Sequence, residues 1–168
     1  MKNKMFVAII VLAVVCVVSV GVMIFALIHF APKQEPFVPP AFEAAAVTGV
    51  LEETDELKAL GWTVADAKDL PYAVRICGRV MVKEQKADLW FYNEPKSESW
   101  LKLRITDEEG IILAETGLLK PGEYLQSVEF NRALADGETI SMKIMGYEPE
   151  TYHSVGAINL KTTVKNEK

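Results

Sequence analysis

Three hydropathy patterns follow one another along the chain. From Met5 to Phe30 the residues read MFVAIIVLAVVCVVSVGVMIFALIHF, with no Asp, Glu, Lys or Arg. At about 1.5 Å per residue, such a run reaches roughly 39 Å as a helix, against about 30 Å of bilayer hydrocarbon. The pattern predicts a transmembrane helix over 5–30, spanning with some tilt, behind a short cytoplasmic stub at 1–4. A cleaved secretory signal shares the basic start, Lys2 and Lys4, but has an apolar stretch of only about 7–15 residues. The small-x-small triplet Ser19-Val20-Gly21 lies inside the run. Ala13-Val14-Val15 lacks the small residue that a lipoprotein site places just before its Cys. An uncleaved signal-anchor is therefore expected. Lys2 and Lys4 ahead of the segment, against Lys33 beside Glu35 after it, place the amino terminus in the cytoplasm and the bulk outside the cell. His29 falls near the outer end of the span, as an interfacial residue.

The second pattern is a stalk. Residues 31–42 read APKQEPFVPPAF, and Pro32, Pro36, Pro39 and Pro40 favour extended polyproline geometry over helix. A PxxP ligand from Pro36 to Pro39 is the alternative use of the same residues. Thr54 to Gly61 predicts one short helix, with acids at its start, Lys58 near its end and Gly61 as its stop. Glu52, Glu53, Asp55 and Glu56 lack the alternating loop that wraps calcium, so a solvated helix start is the reading. Trp62, just beyond the helix, is expected to pack against the neighbouring domain. Residues 31–72 thus form a stalk with a short acidic helical segment.

The third pattern is period two and defines a domain over 73–168. Val74 to Val82 reads as a strand or a strand pair broken at Gly78, and Asp88 to Tyr92 as the next strand. In Trp100 to Thr106, Leu101, Leu103 and Ile105 face one way, and Lys102 and Arg104 the other. Further strands are expected at Ile111–Ala114, Tyr124–Phe130, Thr139–Met145 and Ala157–Val164, with turns at 107–110, 120–123 and 135–138. About seven short strands at this spacing predict a mainly β fold, a single antiparallel immunoglobulin-like β-sandwich, with a barrel as the alternative. Cys77 has no extramembrane partner for a disulfide. It is free, buried or intermolecular, and its strand position favours burial.

Charge narrows the partners. The 168 residues carry 18 basic and 23 acidic side chains, net −5. With Lys2 and Lys4 in the leader, everything after residue 30 sums to −7. An acidic domain without a basic stripe repels phosphate backbones, so no nucleic acid is expected as a partner.

Turn chemistry in the domain carries a resemblance. Trp90-Phe91-Tyr92-Asn93-Glu94-Pro95, WLKLRI, Thr116-Gly117-Leu118-Leu119-Lys120-Pro121-Gly122-Glu123-Tyr124, Val128 to Leu134 and Gly137 resemble a group of small exported proteins of Gram-positive bacteria. Their motif reads roughly N-P-x-x-N, a strand, G-L-I-x-P-G, a strand, then L-x-x-G. Here Glu94 separates Asn93 from Pro95, and Ser97-Glu98-Ser99 stands where a second Asn would. The resemblance covers about 72–165. It implies one membrane helix, a low-complexity stalk and a single sandwich, and it implies no activity.

Candidate chemistry is sparse. The two histidines are far apart, and adjacent His153 and Ser154 point in different directions on an extended chain. No G-x-S-x-G, H-E-x-x-H, P-loop or G-x-G-x-x-G occurs. No metal, no cofactor and no enzymatic activity are expected. The constellation that remains is aromatic. If Leu89 and Phe91 face the core, Trp90 and Tyr92 point away, and Trp100 shares the outward side with Lys102 and Arg104. Trp90, Tyr92 and Trp100 are the candidate ligand-binding residues, stacking sugar rings or docking a partner. The competing reading has these rings covered by residues 43–70, with Trp62 beside them. The expectation is a membrane-anchored, non-catalytic protein-binding or scaffold module of the cell envelope, in a surface assembly or a secretion or conjugation apparatus. Its partners are the bilayer, through 5–30, and an envelope protein. Carbohydrate or cell-wall polysaccharide binding through the aromatic platform is the alternative.

Overall fold

The computed structural model of the chain describes residues 2–30, 37–65 and 70–167. It divides into two compact units, Met1–Val38 and Pro39–Lys168. The first is a helix, α1 (Lys2–Phe30), 29 residues long. Its described side chains run from 10 to 26 and include His29. Ile10, Val14, Val17, Met23 and Phe25 are all about half exposed or more, so the apolar surface goes round the helix without a polar side. Among the described residues, no helix is long and apolar enough to cross a membrane. Residues 31–36 of the expected stalk lie outside the described residues.

The second unit is mainly β. Its elements are β1 (Val47–Thr48), α2 (Asp55–Ala59), β2 (Trp62–Ala65), β3 (Val74–Cys77), β4 (Val80–Lys83), β5 (Lys86–Asn93), β6 (Trp100–Thr106), β7 (Ile112–Glu115), β8 (Glu123–Glu129), β9 (Thr139–Tyr147) and β10 (Ser154–Asn166). The strands join one curled sheet in the order β1-β8-β5-β4-β10-β9-β6-β7, and β2 attaches through β3, which pairs with β5. The thirteen-residue β10 links the two parts of the sheet. Its Ser154–Thr163 stretch runs antiparallel to β9, and Val164–Asn166 runs parallel to β4. Inward side chains of both parts form one core: Val74, Ile76, Leu89 and Phe91 from one, and Leu101, Leu103, Ile105, Ile140, Met142 and Ile144 from the other. The alternation in β6 holds at every position: Leu101, Leu103 and Ile105 are fully buried, and their neighbours reach solvent.

The architecture is sandwich-like, with ten strands among the described residues where the hydropathy pattern counts about seven. Described residues between 39 and 72, within the segment expected to form the stalk, belong to this unit. The backbone around Phe42 bridges to Leu118, Glu43 N–H donates to the Leu118 carbonyl at 3.0 Å, and the Glu43 carboxylate accepts from Gly117 N–H at 2.7 Å. A Cβ at Gly117 would stand 2.5 Å from the Glu43 nitrogen, so only glycine permits this approach. The short helix forms where expected. Thr54 caps it, its Oγ accepting from Leu57 N–H at 3.3 Å, and Asp55 and Glu56 occupy the first turn. Gly61 follows at φ +68°, a left-handed conformation that ends the helix at little cost. Gly78 separates β3 from β4.

Candidate interaction faces

Each part of the sheet has an outer face, and the candidate aromatics are divided between them. On the β3-β5-β8 side, Trp90 and Tyr92 point away from the main core. Trp90 does so from a bulge: the β5–β8 register shifts between Asp88 and Phe91, and Trp90 sits at φ +47°. Residues 51–62 then cover the face. Leu57, Trp62, Cys77 and Tyr92 form a second buried cluster, with Leu51, Leu60, Trp90 and Tyr124 packed on it. Trp62 is 4% exposed; its ring N–H donates to the Trp90 carbonyl at 2.9 Å and its ring stacks on Tyr92 at 6.4 Å. Trp90 stacks on Tyr124 at 5.9 Å. Tyr92 is buried and Trp90 half-buried.

At the rim of this cluster lies an ion group. The Arg75 guanidinium rests 4.9 Å from the Trp62 ring centre and donates to Glu94 at 2.6 Å, and Lys96 approaches the other Glu94 oxygen at 3.1 Å. Burial works to raise the Glu94 carboxyl, but the hydrogen bonds and charges of Arg75 and Lys96 together hold it below the usual carboxylate range. Burial, with Asp88 adding to it, pushes the Cys77 thiol up to about 12, which leaves it protonated and unreactive. Cys77 is buried in β3, as its position favours, and both it and Cys16 are free thiols. A shallow cleft of about 300 Å³ opens beside Tyr92, Arg75 and Glu94.

The β6-β7-β9-β10 side differs. Trp100 lies at one end of its outer face, half-buried, in edge contact with Phe42 at 4.8 Å and Tyr152 at 5.3 Å. The Lys120 ammonium stands 4.5 Å from the Phe42 ring centre. Beyond Trp100 the outward positions are Lys102 and Arg104, both paired with Glu115. Burial acts to raise the Glu115 carboxyl, and the two cations together hold it low. Lys143 lies directly opposite Arg104, and Lys161 opposite Ser141. Both lysines are exposed. The structure therefore brings Trp90 and Tyr92 together and places Trp100 elsewhere, among different neighbours. Lys143 and Lys161 join Lys102 and Arg104 only through strand register, so single-strand alternation gives no sign of the group.

His153 stands 3.9 Å from Glu148 at the head of β10, and His29 stacks on Phe25 within α1. Among the described residues, no group of three or more His, Cys, Asp or Glu is placed to hold a metal ion.

No family model matches the chain, so none stands behind the resemblance to small exported Gram-positive proteins. No curated protein matches it either. Among solved structures it is similar to CopC from Methylosinus trichosporium OB3b, at 18% identity, over 64% of this chain and 96% of that one, with a TM-score of 0.35. At that score the likeness carries no argument about the function of this chain.

Proposed function

We propose that the chain is a membrane-anchored binding module of the cell envelope. In this reading α1 spans the bilayer with its amino terminus in the cytoplasm. The mainly β unit, an immunoglobulin-like sandwich in plan, is held outside and acts without catalysis, as a protein-binding or scaffold element.

The observation that carries the reading is α1. At 29 residues it is about 44 Å long, more than the hydrocarbon thickness. Its described side chains alone make too short a run to span, so the length comes from the backbone helix and the apolar character of its flanks from the sequence. A helix that is apolar all round belongs in a protein core or in lipid. Within its own unit the side chains of α1 from Ile10 to Phe25 are exposed, and no core covers them. Lys2 and Lys4 support the orientation.

Alkaline carbonate extraction tests the anchor. The full chain is expected to stay with the membrane pellet. Val14→Arg with Val18→Arg is expected to release it, since each charge at a span centre costs about 2.5–3.5 kcal/mol. Extraction of the unaltered chain contradicts the reading. In-cell crosslinking followed by solubilisation tests the module, which requires a defined envelope partner; recovery of none counts against a scaffold role. The second reading, carbohydrate binding, is favoured by one observation: half-buried Trp100 stands at the end of a row of cations.

A further inference from the structure

Charge is segregated within the folded unit. Setting aside Lys2, Lys4, Lys33 and Glu35 leaves Pro39–Lys168 with 15 basic and 22 acidic residues, net −7. The charged residues of β6, β7, β9 and the Ser154–Thr163 stretch of β10 are Lys102, Arg104, Glu115, Lys143 and Lys161. All five are at outward positions, and they sum to +3. The rest of the unit therefore carries −10.

The cations are also arranged. Arg104 and Lys143 face each other directly across the β6–β9 ladder, and Lys161 lies diagonally beyond on β10. With adjacent strands about 4.8 Å apart, this row crosses the sheet in about 10 Å. Like charges directly opposite destabilise a sheet. Glu115 offsets Lys102 and Arg104, while Lys143 and Lys161 have no such partner among the described residues. Trp100 stands next to Lys102 on β6, held in place by Phe42 and Tyr152.

We propose that this face binds a linear anionic glycan, whose carboxylate or phosphate groups lie along Lys102, Arg104, Lys143 and Lys161 and one of whose sugar rings stacks on Trp100. The inference rests on reading the folded unit as a binding module and deepens its carbohydrate form. Three features select this occupant. The basic face on an otherwise acidic unit supplies charge complementarity for a polyanion. A planar anionic bilayer needs a broad basic surface, and the exposed acids Glu108 and Glu109 flank this one, Glu108 in the same cleft as Lys161; a single chain needs only the width of the row. An extended acidic peptide adding as a strand would pair at β7, the end of the sheet, because β6, β9 and β10 are interior, and it would then lie beside the cations of β9 and β10 rather than over them.

The test uses the full chain in nanodiscs of neutral lipid, with polygalacturonate as the probe. Retention is expected to fall steeply with added salt. Lys143→Glu with Lys161→Glu is expected to weaken it about tenfold or more, and Trp100→Ala to weaken it at fixed salt dependence. Lys83→Glu with Lys165→Glu, away from the face, is expected to change it little. Poly-glutamate and vesicles of anionic lipid are expected to bind at least tenfold more weakly. Polygalacturonate binding that survives Lys143→Glu with Lys161→Glu overturns the proposal, and so does no binding at all. Equal or tighter binding of poly-glutamate or of anionic vesicles overturns the glycan assignment while leaving the binding-module reading in place. Recovery of a crosslinked envelope partner separates failure of the glycan from failure of the module.

Discussion

The two outer faces of the sheet follow the same alternation rule and end in opposite states. On the β3-β5-β8 side, outward Trp90 and Tyr92 are roofed by Trp62, Leu57 and Leu60, so the face is a second small core. On the β6-β7-β9-β10 side, Trp100 is half-buried between Phe42 and Tyr152, Lys102 and Arg104 are half-buried on Glu115, and Lys143 and Lys161 are exposed. Alternation assigns a side chain to the inner or outer surface of a sheet. Whether an outward position is core or surface depends on a segment that is distant in sequence. An outward aromatic is therefore not by itself a sign of an open face.

The sharpest way to break this comparison is to remove one indole from each face. Trp62→Ala is expected to cost about 3–5 kcal/mol, the range for a buried aromatic truncation. It also strips the ring from under Arg75 and uncovers Tyr92. Trp100→Ala is expected to cost about 1–2 kcal/mol, because that ring is only half-buried. Urea titration of both variants checks this, and equal losses would erase the distinction between roofed and open faces. Next in size is Gly117→Ala. A methyl group there meets the Glu43 backbone, and overpacking of this kind costs about 1–3 kcal/mol. Thermal unfolding reads the loss, and a neutral result would mean that residues 39–46 are not held against the sheet.

The Glu94 group should bring a pH dependence confined to acid. Its folded carboxyl lies below its ordinary value of 4.5. The stabilisation is therefore fully present above about pH 4.5 and is lost as pH falls through the lower folded value. Glu94→Gln is expected to cost about 1–2 kcal/mol at neutral pH and to flatten this part of the stability–pH curve. Unfolding midpoints between pH 3 and 7 test it. The smallest effect is expected on the open face. Lys143→Glu should change stability by no more than about 0.5 kcal/mol, and in the favourable direction, since it replaces a like charge opposite Arg104 with an opposite one. A large loss would mean that this face is covered in the folded chain.

Much of the fold can be read from hydropathy. The strands from Val74 onward carry clean alternation, and the turns at 107–110, 120–123 and 135–138 punctuate them. The helix at Asp55–Ala59 is announced by Thr54 and Gly61. What escapes is non-local. β1 has two residues, too few for a period to register, and β2 follows α2 inside the segment read as a stalk. The contact between Glu43 and Gly117 joins residues 74 apart. The bulge between Asp88 and Phe91, which shifts the β5–β8 register without breaking the alternation of β5, leaves no mark on composition. The role of β10 in linking the two parts of the sheet depends on pairing with both β9 and β4, which its own sequence does not specify. The basic face is hidden for the same reason: it takes one or two residues from each of four strands, in a chain whose total charge is negative.

Limited proteolysis of intact cells, with mass spectrometry of the medium, tests most directly whether α1 anchors a folded unit outside the membrane. Such an anchor predicts release of a fragment that starts within residues 31–38 and retains the whole sheet. A chain that stays intact in unbroken cells, and is digested only after lysis, would contradict it.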